Sequence, residues 1–124
     1  MQCKMPNLLF FIDEGGFDDF TPLFVELGFT VDFENSQRKA VKLAKKNQYQ
    51  VLVAEFRHNP EIRDRVSNIE SLLATLESHS PEVKIIVLYD KINQPQLNQL
   101  MQRYRMDATL TFPVQPVQLQ SLLS

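Results

Sequence analysis

The chain is 124 residues long, with 44% hydrophobic and 23% charged residues and a net charge of −2. At this length a folded domain hides about two-thirds of its surface, so a core forms without disulfides or metal. The composition excludes a disordered chain, and the charge excludes the overall basic field that holds a nucleic-acid backbone or an anionic membrane.

At the amino end lies Cys3, the single cysteine, which forms no internal disulfide and fits a reducing, cytoplasmic setting. Residues 1–6 lack the apolar stretch and small-residue site of a cleaved leader, and no later run reaches the ~18 apolar residues of a membrane span. Leu8, Leu9, Phe10, Phe11 and Ile12 form the first strand-like run, ended by Asp13, Glu14, Gly15 and Gly16. Helical spacing follows over 18–27, with Phe20, Leu23, Phe24 and Leu27 on one face, Pro22 in the first turn and Gly28 as the stop. Residues 29–33 alternate as a second strand. Asn35 or Ser36 caps the next helix, whose Ala40, Leu43 and Ala44 face inward. Lys39, Lys42, Lys45 and Lys46 fill its other positions and its carboxyl end, where the helix dipole favours cations.

A continuous apolar run, Val51 to Ala54, makes a third strand that stops at Glu55. Beyond a loop around Pro60, a helix over 61–78 sets Ile62, Val66, Ile69, Leu73 and Leu76 in register. Val83 and the run from Ile85 to Leu88 form a fourth strand, stopping at Tyr89 and Asp90. Leu97, Leu100, Met101 and Tyr104 mark an amphipathic helix, and 108–112 a fifth strand. Pro116 opens a final helix of about two turns carrying Val117, Leu119, Leu122 and Leu123.

Five strand–helix units with buried strands imply an α/β fold of three layers, flavodoxin-like, around a parallel sheet of order 2-1-3-4-5. One domain then spans 1–124. Ligands of such sheets sit at the carboxyl ends of the strands, where Asp13, Glu14, Glu55, Tyr89, Asp90 and Phe112 fall. Asp13, Glu14 and Glu55 end the neighbouring strands one and three, and clustered carboxylates of this kind hold Mg²⁺ or take up protons. Acids that merely end strands or cap helices are the structural alternative.

The order of these strand ends resembles the response-regulator receiver domain, CheY-like, over almost the whole chain. Ile12-Asp13-Glu14 falls where that family carries its Mg²⁺-binding acidic pair, and Tyr49-Gln50-Val51-Leu52-Val53-Ala54-Glu55 matches the strand ending in the phosphoacceptor aspartate. The resemblance implies a noncatalytic signalling module. Departures from the family mark it as degenerate: Glu55 replaces the aspartate, Tyr89 the small hydroxyl after Ile86-Val87-Leu88, and Phe112 the lysine before Pro113. Asp90 replaces a small residue, and the 55–60 loop is one residue longer and lacks the expected glycine. A longer carboxylate misplaces the attacking oxygen, and a phenyl ring stabilises no developing negative charge. The expectation is a pseudo-receiver independent of aspartyl phosphorylation, in which Glu55 either mimics a phosphoaspartate or has simply drifted. Pairing of Glu55 with Arg57 is disfavoured, because i and i+2 share a face only if the strand continues.

A protein partner is expected on the face of helix four, strand five and helix five, where Gln99, Arg103 and Gln115 fall, and the chain is expected to be a monomer or weak homodimer. Two other readings remain: a phosphotransfer receiver using an atypical acidic acceptor with Mg²⁺, and a flavodoxin-like binder of a small ligand. Gly15-Gly16 stands among Asp13, Glu14, Asp18 and Asp19, which repel a nucleotide phosphate, and no Gly-rich phosphate motif is present. His58 and His79 lie at opposite ends of one helical region, too far apart to share a metal, while Arg57, Arg63 and Arg65 read as a solvated face.

Overall fold

A computed structural model of the chain describes residues 6–12, 19–57 and 69–123. Along it run β1 (Asn7–Phe11), α1 (Thr21–Glu26), β2 (Thr30–Glu34), α2 (Gln37–Lys46), β3 (Val51–Phe56) and α3 (Glu70–His79). Then come β4 (Lys84–Tyr89), α4 (Gln94–Met101) entered through a 3-10 turn at Lys91–Asn93, β5 (Ala108–Thr111) and α5 (Pro116–Leu123). Every neighbouring pair of strands is parallel, in the order β2-β1-β3-β4-β5. The α/β architecture and strand order are those expected from the alternation of apolar runs and amphipathic stretches.

Side chains alternate across the sheet and divide the core in two. Leu9, Phe11, Leu52, Ala54, Phe56, Ile85 and Val87 pack with Ala40 and Ala44 of α2, Leu72, Leu73 and Leu76 of α3, and Leu97 and Leu100 of α4. On the other face Leu8, Phe10, Val51, Val53, Ile86 and Leu88 meet Phe24 of α1 and Leu119 of α5. There the Phe10 ring lies edge-on to Phe24 at 5.2 Å and to Phe33 at 5.5 Å, a geometry that the ring quadrupole favours.

Several element ends differ from the sequence expectation, β1 and β2 by a single residue. α1 begins at Thr21, after Asp19 and Phe20, with Asp19 Oδ1 accepting from the Thr21 N–H at 3.0 Å. β3 continues through Glu55 and Phe56, because Glu55 pairs with Leu88 and Phe56 with Tyr89 across the sheet. Tyr104 lies beyond the end of α4, and β5 stops at Thr111, leaving Phe112 outside it. Asp13, Glu14, Asp18, His58, Pro60, Ile62, Arg63, Arg65 and Val66 lie outside the described residues.

Local signals operate as read. Gly28, at φ +98°, closes α1 with two bonds: its N–H donates to Val25 O and the Phe29 N–H to Phe24 O, each at 3.0 Å. This is a Schellman cap, with Phe29 and Phe24 supplying the accompanying apolar contact. Ser36 caps α2 by accepting from the Lys39 N–H at 3.5 Å.

Side-chain bonds also tie the amino ends of the strands. Gln50 Oε1 accepts from the Asn7 N–H at 2.6 Å, Ser80 Oγ from the Tyr49 N–H at 3.0 Å, and Asp107 Oδ2 from the Ile85 N–H at 2.7 Å. Arg105 donates to Val83 O, and the Lys84 ammonium to Leu122 O at the end of α5.

Candidate functional site

Glu55 occupies the fifth position of β3 and is 2% exposed. By alternation it points with Val51 and Val53 toward the α1–α5 side. The strand continues past it, so Arg57 returns to the same side, and its Nη1 lies 3.6 Å from Glu55 Oε2. The pair disfavoured from sequence therefore forms. A carboxylate removed from water needs a counter-charge, and a guanidinium that reaches it from a partly exposed position supplies one.

Tyr89 ends β4 on the opposite side of the sheet, among the residues that face α3 and α4. Its buried ring aims the hydroxyl at α4, donating to Gln94 Oε1 at 2.5 Å, and Gln94 Nε2 in turn donates to Asn98 Oδ1 at 2.9 Å. The register sets Glu55 beside Leu88 and Tyr89 beside Phe56, so the two side chains are on opposite faces of the sheet. Asp90 Oδ1 accepts from the Ile92 N–H at 3.1 Å and caps the 3-10 turn. Its carboxylate thus serves a backbone donor.

Phe112 follows β5 with 48% of its surface exposed, and its N–H donates to Tyr89 O at 2.8 Å. The Phe112–Pro113 bond is cis. Of the three Mg²⁺ ligands expected from sequence, Asp13 and Glu14 lie outside the described residues. Glu55 alone is described, with the Arg57 guanidinium 3.6 Å from its Oε2. Among the described residues no group of three His, Cys, Asp or Glu converges to hold a metal.

On the expected partner face, Gln99 is exposed on α4, and the Gln115 N–H donates to Gln118 Oε1 at 2.8 Å at the start of α5. Arg103 turns the other way, to Glu70 of α3 at 3.2 Å. Two grooves among the described residues, of about 290 and 350 Å³, lie at the amino end of β4, the pole opposite these strand ends. Sequence reasoning did not single out the pairing of Gln94 with Tyr89 and Asn98. The i, i+4 spacing of Gln94 and Asn98, five residues after a strand-ending tyrosine, was the available signal.

No family model matches this chain, and no curated protein matches it. Solved structures do. The receiver domain of the sensor histidine kinase PA1611 from Pseudomonas aeruginosa PAO1, which has a magnesium ion in its active-site cleft, shares 19% identity over 97% of this chain and 95% of its own, with a TM-score of 0.68. The Vibrio cholerae chemotaxis protein CheY4 shares 18% identity over 97% of both chains, with a TM-score of 0.71. The receiver domain of Francisella response regulator 1452 shares 22% identity over 95% of this chain and 93% of its own, with a TM-score of 0.70. At these identities the likeness is one of fold, and the fold is CheY-like.

Proposed function

We propose that residues 1–124 form a single noncatalytic signalling module that engages a protein partner without aspartyl phosphorylation. The observation that carries this reading is the Glu55–Arg57 pair at the strand position where receivers hold their acceptor. In-line transfer is sensitive to where the attacking oxygen sits, and the Glu55 carboxylate, one methylene longer than an aspartate's, is almost wholly buried and drawn toward the Arg57 guanidinium. The same guanidinium cancels the charge that a phosphoaspartate mimic would display. It thereby supports a fixed pocket over constitutive mimicry. Phe112 adds no cation, and Tyr89 directs its hydroxyl to α4 rather than to the Glu55 side.

Mg²⁺ has no required role in this reading. The partner face comprises α4, β5 and α5, with Gln99 and Gln115 on it and Arg103 at its α3 border. An amide NMR titration with Mg²⁺, then with Mg²⁺ and beryllofluoride, tests the proposal. Resonances of β3, Tyr89 and α4 should stay in place at both steps. Saturable shifts at Glu55 that spread to Tyr89 and α4 with beryllofluoride would overturn it in favour of phosphotransfer.

A further inference from the structure

The exposed side of α2 is made entirely of cations. Arg38, Lys39, Lys42, Lys45 and Lys46 are all exposed, whereas Ala40 and Ala44 are buried and Val41 and Leu43 are packed against the core. At 3.6 residues per turn the five basic residues fall within one arc of about 120°, and no other α2 residue interrupts it. None of the five makes an ion pair among the described residues, and α2 contains no acidic residue.

Folding alone does not account for this stripe. Lys42 stands three or four positions from each of the other four, the spacings at which like charges repel and weaken a helix. Lys45 and Lys46 suit the negative end of the helix dipole, but Arg38 and Lys39 sit in the first turn, where the dipole opposes them. The distribution is also local. The remaining eight basic residues face fifteen acidic ones, so the chain outside α2 carries a net charge of −7.

We propose that α2 is a docking surface for an acidic helix of a protein partner, one whose carboxylates recur at i, i+3, i+4 and i+7. The stripe is about 15 Å long, which matches two to three turns of such a helix. A short partner helix needs only the length of this stripe, whereas an extended polyanion or a membrane surface is brought up against more of a chain whose net charge outside α2 is −7. The stripe offers no aromatic ring for stacking on bases and no apolar side chain for insertion among lipids. This surface lies on different elements from the Glu55 pocket and stands whether or not that pocket accepts phosphate.

The test uses the whole chain and two helical peptides of about twenty residues. One carries glutamates in a single stripe, and the other has the same composition with the glutamates spread round the helix. The striped peptide should shift α2 amides, bind several-fold more tightly than its control, and weaken as salt rises. Lys39→Glu with Lys42→Glu should cut that binding about tenfold or more. The double variant should unfold at a Tm no lower than wild type, since it removes like-charge pairs and favours the dipole. Equal binding of the two peptides, or no loss on charge reversal, would overturn the proposal. So would self-association that the double variant abolishes, or tighter binding to phosphatidylserine vesicles or to a DNA duplex than to the striped peptide.

Discussion

Tyr49 buries its ring next to the first residue pairs of β3 and still satisfies its hydroxyl, which donates to Asp32 Oδ2 at 2.7 Å and accepts from Asn47 Nδ2 at 3.5 Å. Burial, and then the bond to Asp32, push the phenol well above its ordinary value of 10.0. A group whose folded value is raised lends stability below its unfolded value and loses it as pH climbs from there. Wild type should therefore lose stability above pH about 10 more steeply than Tyr49→Phe, as measured by urea midpoints along an alkaline series. Near neutrality the same variant should cost about 1–2 kcal/mol, because Asp32 loses its donor. Arg57→Met is the second test at this scale. Leaving Glu55 without the guanidinium should cost about 1–2 kcal/mol, less than for a fully buried pair because the Arg57 side chain is 42% exposed. Urea unfolding measures it, and adding Glu55→Gln should recover part of the loss.

Among the elements, α1 gives the cleanest separation of backbone from packing. A Cβ at Gly28 would meet no atom within 4 Å, yet the residue sits at φ +98°. Gly28→Ala should thus cost about 1–2 kcal/mol from backbone strain alone, and Gly28→Asn less, by thermal unfolding. The Gly28 stop, the Ser36 cap and Pro116 at the start of α5 were readable because each acts through its own neighbours. β1, β3 and β4 were readable for a different reason: strands covered on both faces are apolar at every position. The limit of that signal is also visible. An acid normally ends such a run, so Glu55 hid the continuation of β3 to Phe56, and with it the return of Arg57 to the same side. The opposite orientations of Glu55 and Tyr89 depend on the β3–β4 register, which no single segment encodes. The polar ties at the amino ends were unreadable too, since each joins residues more than twenty positions apart.

Across the whole molecule, protection should follow strand order. Amides of β1, β3 and β4 have a strand on either side and lie between two apolar layers, so they should exchange only on global unfolding. Those of β2 and β5, at the sheet edges, should exchange sooner, and hydrogen-exchange mass spectrometry would show the contrast. The topology was legible because few right-handed arrangements of five such units exist. A ribosome would release β1 first, and β2 and β3 then pair on its two sides. Each later strand joins the edge left by the one before, β4 on β3 and β5 on β4. No strand made late has to separate neighbours that are already paired, so the sheet can assemble in the order in which it is translated.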